Sequence, residues 1–196
     1  MMRELIKERI GQVVALFQSI DEDTMASIES AAQMIIDCIR KDGAVYVLGN
    51  GGSAADSQHF VGEMVGRFLK ERKPFRFVAL TTNTSILTCI GNDYAFDKVF
   101  ERQVEASVRP GDVLFAISTS GNSENIILAL QKARDMGCIT IGLAGLTGGR
   151  MAELCDVLIR VPSVLTPRIQ ECHIFIIHVL SELIEQYLYQ NSSNEG

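Results

Sequence analysis

His59 and Glu63 stand four residues apart, one helical turn, so an imidazole and a carboxylate share a face. An imidazole titrating near neutrality and a carboxylate are the groups that move protons to and from carbon. The same spacing also suits two ligands of a divalent cation. The pair follows Val45-Tyr-Val-Leu-Gly-Asn-Gly-Gly-Ser53, where an apolar run of strand type passes through a glycine-rich turn into a helix. Such a turn leaves backbone N–H groups free at the positive end of the helix dipole, where an anion sits. Ser53 is the expected N-cap, with the helix starting at about Ala54. An anion cradle beside a His/Glu pair points to chemistry on a phosphorylated small molecule. The plainer alternative for the pair is a solvent-exposed helix hydrogen bond.

A second strand–turn–helix repeats the pattern in Val113-Leu-Phe-Ala-Ile-Ser-Thr-Ser-Gly-Asn-Ser-Glu-Asn-Ile-Ile127. Ser118, Thr119, Ser120 and Ser123 place hydroxyls around Gly121 and a new helix N-terminus, which suits a phosphate. Ordinary capping and turn chemistry uses the same residue types. Two such loops at the carboxyl ends of strands in one sheet favour a site over coincidence. A third loop, Gly145-Leu-Thr-Gly-Gly149, reads as structural. The last helix opens at Thr166-Pro167, a cap followed by proline at the first helical position. On it, Gln170 and His178 are eight residues apart, about 80° around the axis, and so share a broad face. Ile174 to Leu180 is apolar nearly all round apart from His178, so this helix is buried and a hydrogen-bonded core histidine is the plain reading.

These residues must be carried by an α/β framework. Strands are expected at Ala44–Leu48, Phe75–Leu80, Val113–Ile117, Ile139–Leu143 and Val157–Val161. Helices are expected at Ala54–Phe68, Asp97–Ala106, Ser123–Met136, Arg150–Leu154 and Pro167–Leu188. The alternation argues for a parallel sheet with helices on both faces and right-handed crossovers. Two amphipathic helices precede it, one carrying Ile6, Ile10, Val13, Val14 and Phe17 and the other Met25, Ile28, Ala32, Ile35, Ile36 and Ile39. The first packs either on a partner subunit or on its own domain. No linker divides the chain, so residues 1–196 read as one domain: helices to 41, an α/β core over 42–190 and a flexible tail over 191–196.

At 47% hydrophobic and 21% charged residues the composition is globular. A net charge of −6 without a basic cluster argues against nucleic acid as a ligand. The five cysteines are scattered and lack C-x-x-C spacing, as small buried hydrophobes of a reducing compartment are. No apolar run is long enough to span a bilayer, and Met1 to Ile10 lacks a signal-peptide core; a soluble cytoplasmic protein is expected.

Taken together, Gly49-Asn-Gly-Gly-Ser-Ala-Ala-Asp-Ser-Gln-His59 with Glu63, Thr88-Cys-Ile-Gly-Asn-Asp93, Ile117-Ser-Thr-Ser-Gly-Asn-Ser123 and Val161-Pro-Ser-Val-Leu-Thr-Pro-Arg-Ile-Gln-Glu171 with His178 resemble the phosphoheptose isomerases of the sugar-isomerase (SIS) fold. The likeness covers nearly the whole chain. It implies a three-layer α/β/α flavodoxin-like domain with a five-stranded parallel sheet and extra N-terminal helices, assembled as a homotetramer with active sites between subunits. It also implies conversion of sedoheptulose 7-phosphate to D-glycero-D-manno-heptose 7-phosphate for bacterial surface polysaccharide such as lipopolysaccharide. By that resemblance Ser118, Thr119, Ser120 and Ser123 form the phosphate cradle, and Asn50, Gly51, Gly52, Ser53, Glu63, Asn92, Asp93 and Gln170 contact substrate. This moves the phosphate from the glycine loop to the serine loop. His59, Glu63, Gln170 and His178 match the positions of one zinc ion per subunit, and Glu63 with His178 the catalytic acid–base pair. The loop Leu69–Arg76 is expected to touch none of these residues.

Ketose–aldose exchange removes a proton from C1 and returns one at C2 through an enediolate, work that a carboxylate and an imidazole suit. Glutamine is an uncommon zinc ligand, and a Glu held by a metal is a poorer base, so Glu63 as base, ligand or each in turn stays open. A rival reading is a non-catalytic scaffold of the DnaA initiator-associating type, and another is an isomerase of a different sugar phosphate.

Overall fold

The computed structural model describes residues 1–190; the expected flexible tail, 191–196, lies outside them. Short apolar runs rich in β-branched residues become β1 (Val45–Gly49), β2 (Phe77–Ala79), β3 (Val113–Ser118), β4 (Ile139–Ala144) and β5 (Val157–Arg160). They form one sheet in the order β2-β1-β3-β4-β5, with every neighbouring pair parallel. The helices are α1 (Met2–Gln18), α2 (Glu22–Arg40), α3 (Gly52–Val65), α4 (Thr84–Asp93), α5 (Glu101–Ser107), α6 (Glu124–Asp135) and α7 (Thr166–Gln190).

Alternation along the strands divides the interior in two. Val45, Val47, Val113, Phe115 and Ile117 join Ile35 of α2, Phe60 of α3 and Ile176 and Leu180 of α7 in one core. Tyr46, Leu48, Leu114 and Ala116 join Val104 of α5 and Ile126 and Leu130 of α6 in the other. The result is the expected three-layer α/β/α arrangement with the flavodoxin-like strand order. From β1 the chain goes out to β2 and then crosses back to β3 on the other side. The loops after β1 and β3 therefore open side by side, in register at Gly49 and Ile117. Open α/β sheets bind their ligands in this crevice.

Several boundaries differ from expectation. Ser53 is not the N-cap; Gly51 holds that position at φ +56°, in the left-handed region that glycine tolerates, and α3 starts at Gly52. The stretch expected as one helix from Asp97 splits into a 3₁₀ turn (Phe96–Lys98) and α5, and the one at Arg150 is a 3₁₀ turn (Gly149–Glu153). α4 was not expected at all. Its cap is readable afterwards, since Asn83 Oδ1 accepts from the Ile86 N–H at 3.0 Å. Its apolar stripe is only Ile86, Leu87 and Ile90, among Thr, Cys and Gly of low helix propensity.

α2 buries Ile28, Ala31, Ala32, Ile35 and Ile36, whereas α1 buries only Leu16. The C-terminal end of α1 packs on its own chain, with Phe17 edge-on to Phe175 at 5.0 Å. Leu5, Ile6, Ile10 and Val14 stay exposed. Beside them an apolar groove of about 570 Å³ runs between α1, α2 and α7, lined by Phe17, Met25, Ile36, Phe175 and Leu183 among others. Among the described residues no helix is long and apolar enough to cross a membrane.

His173 of α7 is fully buried, and neither ring nitrogen has a hydrogen-bond partner of good geometry. Burial pushes its pKa down to about 4, and the Ala144 backbone pulls weakly the other way. Between the ordinary value of 6.5 and about 4 the unfolded chain binds a proton that the folded chain refuses, so stability falls as pH falls through that window. The expected loss at pH 4 relative to pH 7 is about 3 kcal/mol from this one group. Urea unfolding midpoints measured across the window should show that slope, and His173→Leu should flatten it.

Candidate active site

Two helices carry the polar residues of the site as stripes. On α3, Gly52, His59 and Glu63 are seven and four residues apart, which keeps them within about 20° of one line along the helix. On α7, His178 and Glu185 are likewise seven apart, with Gln170 eight before His178. A Cβ added at Gly52 would run into the Gln170 amide, and His59 meets His178, so the two helices pack side by side in parallel. Glycine at 52 is thus what lets α7 come close.

This packing brings together three groups that lie far apart in the chain. His59 Nε2 is 2.9 Å from His178 Nε2, across 119 residues of sequence, and 3.2 Å from Glu63 Oε1. One ligand atom from each of His59, Glu63 and His178 lies within 4.8 Å of the others. His178 is therefore no ordinary core histidine. The pair at His59 and Glu63 is half exposed, with side-chain exposures of 42% and 23%, so solutes can reach it.

A strap, residues 66–73, wraps the far end of α3 and contradicts the expectation that the Leu69–Arg76 loop touches nothing of the site. Arg72 and Glu185 form an ion pair at 2.8 Å with 0% and 1% of their side chains exposed. Glu185 also accepts from the backbone N–H groups of Phe68, Leu69 and Lys70 at 2.8, 2.8 and 3.0 Å. Burial alone would raise the Glu185 carboxyl, but these donors and Arg72 outweigh it and hold the group below the usual carboxylate value. Arg72 donates onward to the carbonyls of Met64 at 2.8 Å and Glu63 at 2.7 Å, which the end of α3 leaves unpaired. The Phe68 ring lies over the His178 imidazole, with centroids 5.6 Å apart and planes inclined by 27°.

The glycine and serine loops are stapled to each other. Asn50 and Asn125 exchange side-chain amide hydrogen bonds at 2.9 and 3.0 Å. Ser123 occupies the N-cap of α6, yet its hydroxyl makes no capping bond and is left available. Ser118 Oγ and Ser120 Oγ accept from the N–H groups of Gly121 and Asn122, both at 3.2 Å, which leaves their hydroxyl protons free to donate. Gly121 has φ +66°, and a side chain there would strike the Gly148 carbonyl, so the third loop is wedged against the serine loop. Leu146 and Thr147 line a cavity of about 260 Å³ together with Thr119, Ser120, Asn122, Ser163, Thr166 and Ile169.

The other expected residues make no hydrogen bond to the triad among the described residues. Gln170 packs on Gly52, and among the described residues no hydrogen bond joins it to His59, Glu63 or His178. Asn92 and Asp93 are exposed at the end of α4 and bond to each other at 2.9 Å, with Cys89 donating to Asp93 at 3.3 Å. Ser53 is buried at the start of α3. Residues to which the sequence assigned no part in the site are Asn125, Phe68, Arg72, Glu185, Thr147, Ser163 and Thr166. Only the acid inside the apolar run of α7, Glu185, carried a legible signal, since a buried charge demands a partner.

Two imidazoles and a carboxylate are a donor set for a divalent cation such as zinc. Bonds of ~2.0–2.1 Å in a tetrahedron put neighbouring ligand atoms ~3.3 Å apart; two of the three edges here measure 2.9 and 3.2 Å, and the third lies within 4.8 Å. The residues fit such an ion and leave a coordination position open. The same three groups, a carboxylate and two imidazoles, lie in one small volume and are of the types that move protons.

Comparison with known proteins gives the family. The SIS domain family model matches residues 10–145. The chain is 47% identical to the phosphoheptose isomerase of Trichlorobacter lovleyi over 195 residues, covering 100% of both chains. It is 50% identical to that of Aquifex aeolicus, over 93% of this chain and 100% of the relative. The structure of phosphoheptose isomerase GmhA from Neisseria gonorrhoeae superposes with a TM-score of 0.90 at 42% identity, covering 95% of this chain and all of that one.

Proposed function

This chain belongs to the phosphoheptose isomerases of the SIS-domain family and is a sugar phosphate isomerase, and on that premise we propose that it interconverts sedoheptulose 7-phosphate and D-glycero-D-manno-heptose 7-phosphate. The observation that carries the proposal is the meeting of His59, Glu63 and His178 across α3 and α7. Glu63 takes the C1 proton of the ketose, the O1 hydroxyl proton passes to O2 in the enediolate, and His178 returns a proton at C2. A carboxylate and an imidazole within 4.8 Å of each other can exchange protons with adjacent carbons of one substrate without rearrangement. His59, Glu63 and His178 would hold a divalent cation, with zinc the first choice for this donor set; bound there, it supplies electrophilic pull on the substrate oxygens. Gln170 would serve the sugar beside Gly52, with Asn50, Gly51 and Ser53 completing that wall. The scaffold reading has no observation in its favour.

The phosphate would sit on Ser118, Thr119, Ser120 and Ser123. Support comes from the uncapped Ser123 hydroxyl and the polar cavity at Thr119 and Ser120. Ser123→Ala should raise KM for the sugar phosphate about tenfold and barely change kcat, the cost of one hydrogen bond to a charged group. Because that hydroxyl caps nothing, the melting temperature should stay put; a fall in stability with unchanged KM would assign Ser123 to capping instead.

Copies of the chain would cover the uncovered stripe of α1 and the apolar groove, giving a cytoplasmic homotetramer in which Asn92 and Asp93 reach a neighbour's site. The placement in heptose supply for surface polysaccharide follows the same reading. The deciding experiment incubates purified, zinc-loaded protein with sedoheptulose 7-phosphate and follows the aldose by NMR, with hexose and pentose phosphates alongside. Turnover of the seven-carbon sugar alone is the expected result. Preference for a shorter sugar would refute the substrate assignment.

A further inference from the structure

A buried ion pair is a costly way to gain stability, because well-packed apolar side chains in its place often serve as well. The Arg72–Glu185 pair nonetheless lies wholly inside, and its bonds end on the strap and on the last turn of α3. Both ends of this network reach the triad. Arg72 grips the Glu63 carbonyl at 2.7 Å, and Glu185 holds the Phe68 N–H at 2.8 Å, which fixes where the Phe68 ring leaves the strap. That ring stacks on the His178 imidazole. An imidazole on a long helix can turn about its Cβ–Cγ bond, and a flat ring against one face removes that freedom.

We propose that Phe68, held by the Arg72–Glu185 pair, is a positioning residue for the triad, setting the plane in which His178 Nε2 faces His59 and Glu63. The inference rests on the reading of the triad as a cation-holding acid–base site. Groups that orient ligands from behind typically alter metal affinity or activity by about 10–100-fold when removed.

The test uses the full chain with F68L, which keeps apolar bulk and leaves Arg72 and Glu185 untouched, and F68Y, which keeps the ring. Zinc affinity of the metal-stripped protein is read by competition with a chromophoric chelator, alongside kcat, KM and the melting temperature. F68L should weaken zinc binding by about 10–100-fold and lower kcat by a similar factor while KM moves less than about twofold, and F68Y should restore both. Should F68L not fold, F68M takes its place. A lower melting temperature with unmoved zinc affinity and kcat would make Phe68 merely structural and overturn the proposal. H178A separates the two levels. If H178A loses zinc and turnover while F68L loses neither, the functional reading stands and only the positioning role falls. If H178A binds zinc and turns over like the native chain, the reading of the triad fails and takes the positioning role with it.

Discussion

Glu63→Gln should lower kcat by about 10³-fold, within the range that a positioned general base contributes. The amide is nearly isosteric and can keep the contact to His59 at the 3.2 Å position, but it cannot take a proton from carbon and is a poor cation ligand. With 23% of the side chain exposed, the substitution creates no cavity and buries no unpaired charge, so the fold should survive. Turnover and circular dichroism on the same preparation separate loss of chemistry from loss of structure. His178→Ala should cost about as much, and the double variant little more than either alone, because the two groups act as one unit. Full turnover by Glu63→Gln would remove Glu63 from the proton path.

Glu185→Leu should unfold the protein far more readily without touching the reacting groups directly. It leaves the Arg72 guanidinium buried without its counter-charge and strips three backbone N–H groups of their acceptor. Breaking a buried pair from one side costs about 3–5 kcal/mol, a large share of a typical 5–15 kcal/mol of total stability. A melting temperature lower by roughly 10 °C or more is expected for a chain of this size. Replacing Arg72 by Met in the same chain should recover part of the loss, because the stranded cation is then gone. The carboxyl of Glu185 is held below its ordinary 4.5 in the folded protein, so its contribution is complete above that value and is lost as pH falls below it. Acid therefore acts in two stages, first through His173 below about 6.5 and then through Glu185. A melting temperature unchanged in Glu185→Leu would show that the strap is held by other contacts.

Much of the framework was legible because it rests on short-range rules. Strand runs such as Val113–Ile117 declare themselves by an unbroken apolar stretch between turn residues, and both boundaries fell within one residue for four of the five strands. The exception is β2, an edge strand that pairs with β1 through Phe77–Ala79 and lies just beyond Pro74. Shorter elements were harder. The 3₁₀ turn at Gly149–Glu153 and the low-propensity α4 take their shape from the third loop and from the packing of Ile90, neither of which a local window contains.

By itself the sequence determined the five strands and most of the helices in order, the parallel sheet, the two strand–turn–helix loops and the one-turn spacing of His59 and Glu63. These follow from period, propensity and turn chemistry, which act over a few residues. What only the tertiary structure decided is which distant groups meet: His178 with His59, Asn125 with Asn50, Glu185 with Arg72 and the strap. Such meetings depend on how deeply α7 settles against α3. That depth is set at Gly52, where the missing side chain admits Gln170, and at the buried ion pair, where charge must find charge once water is gone.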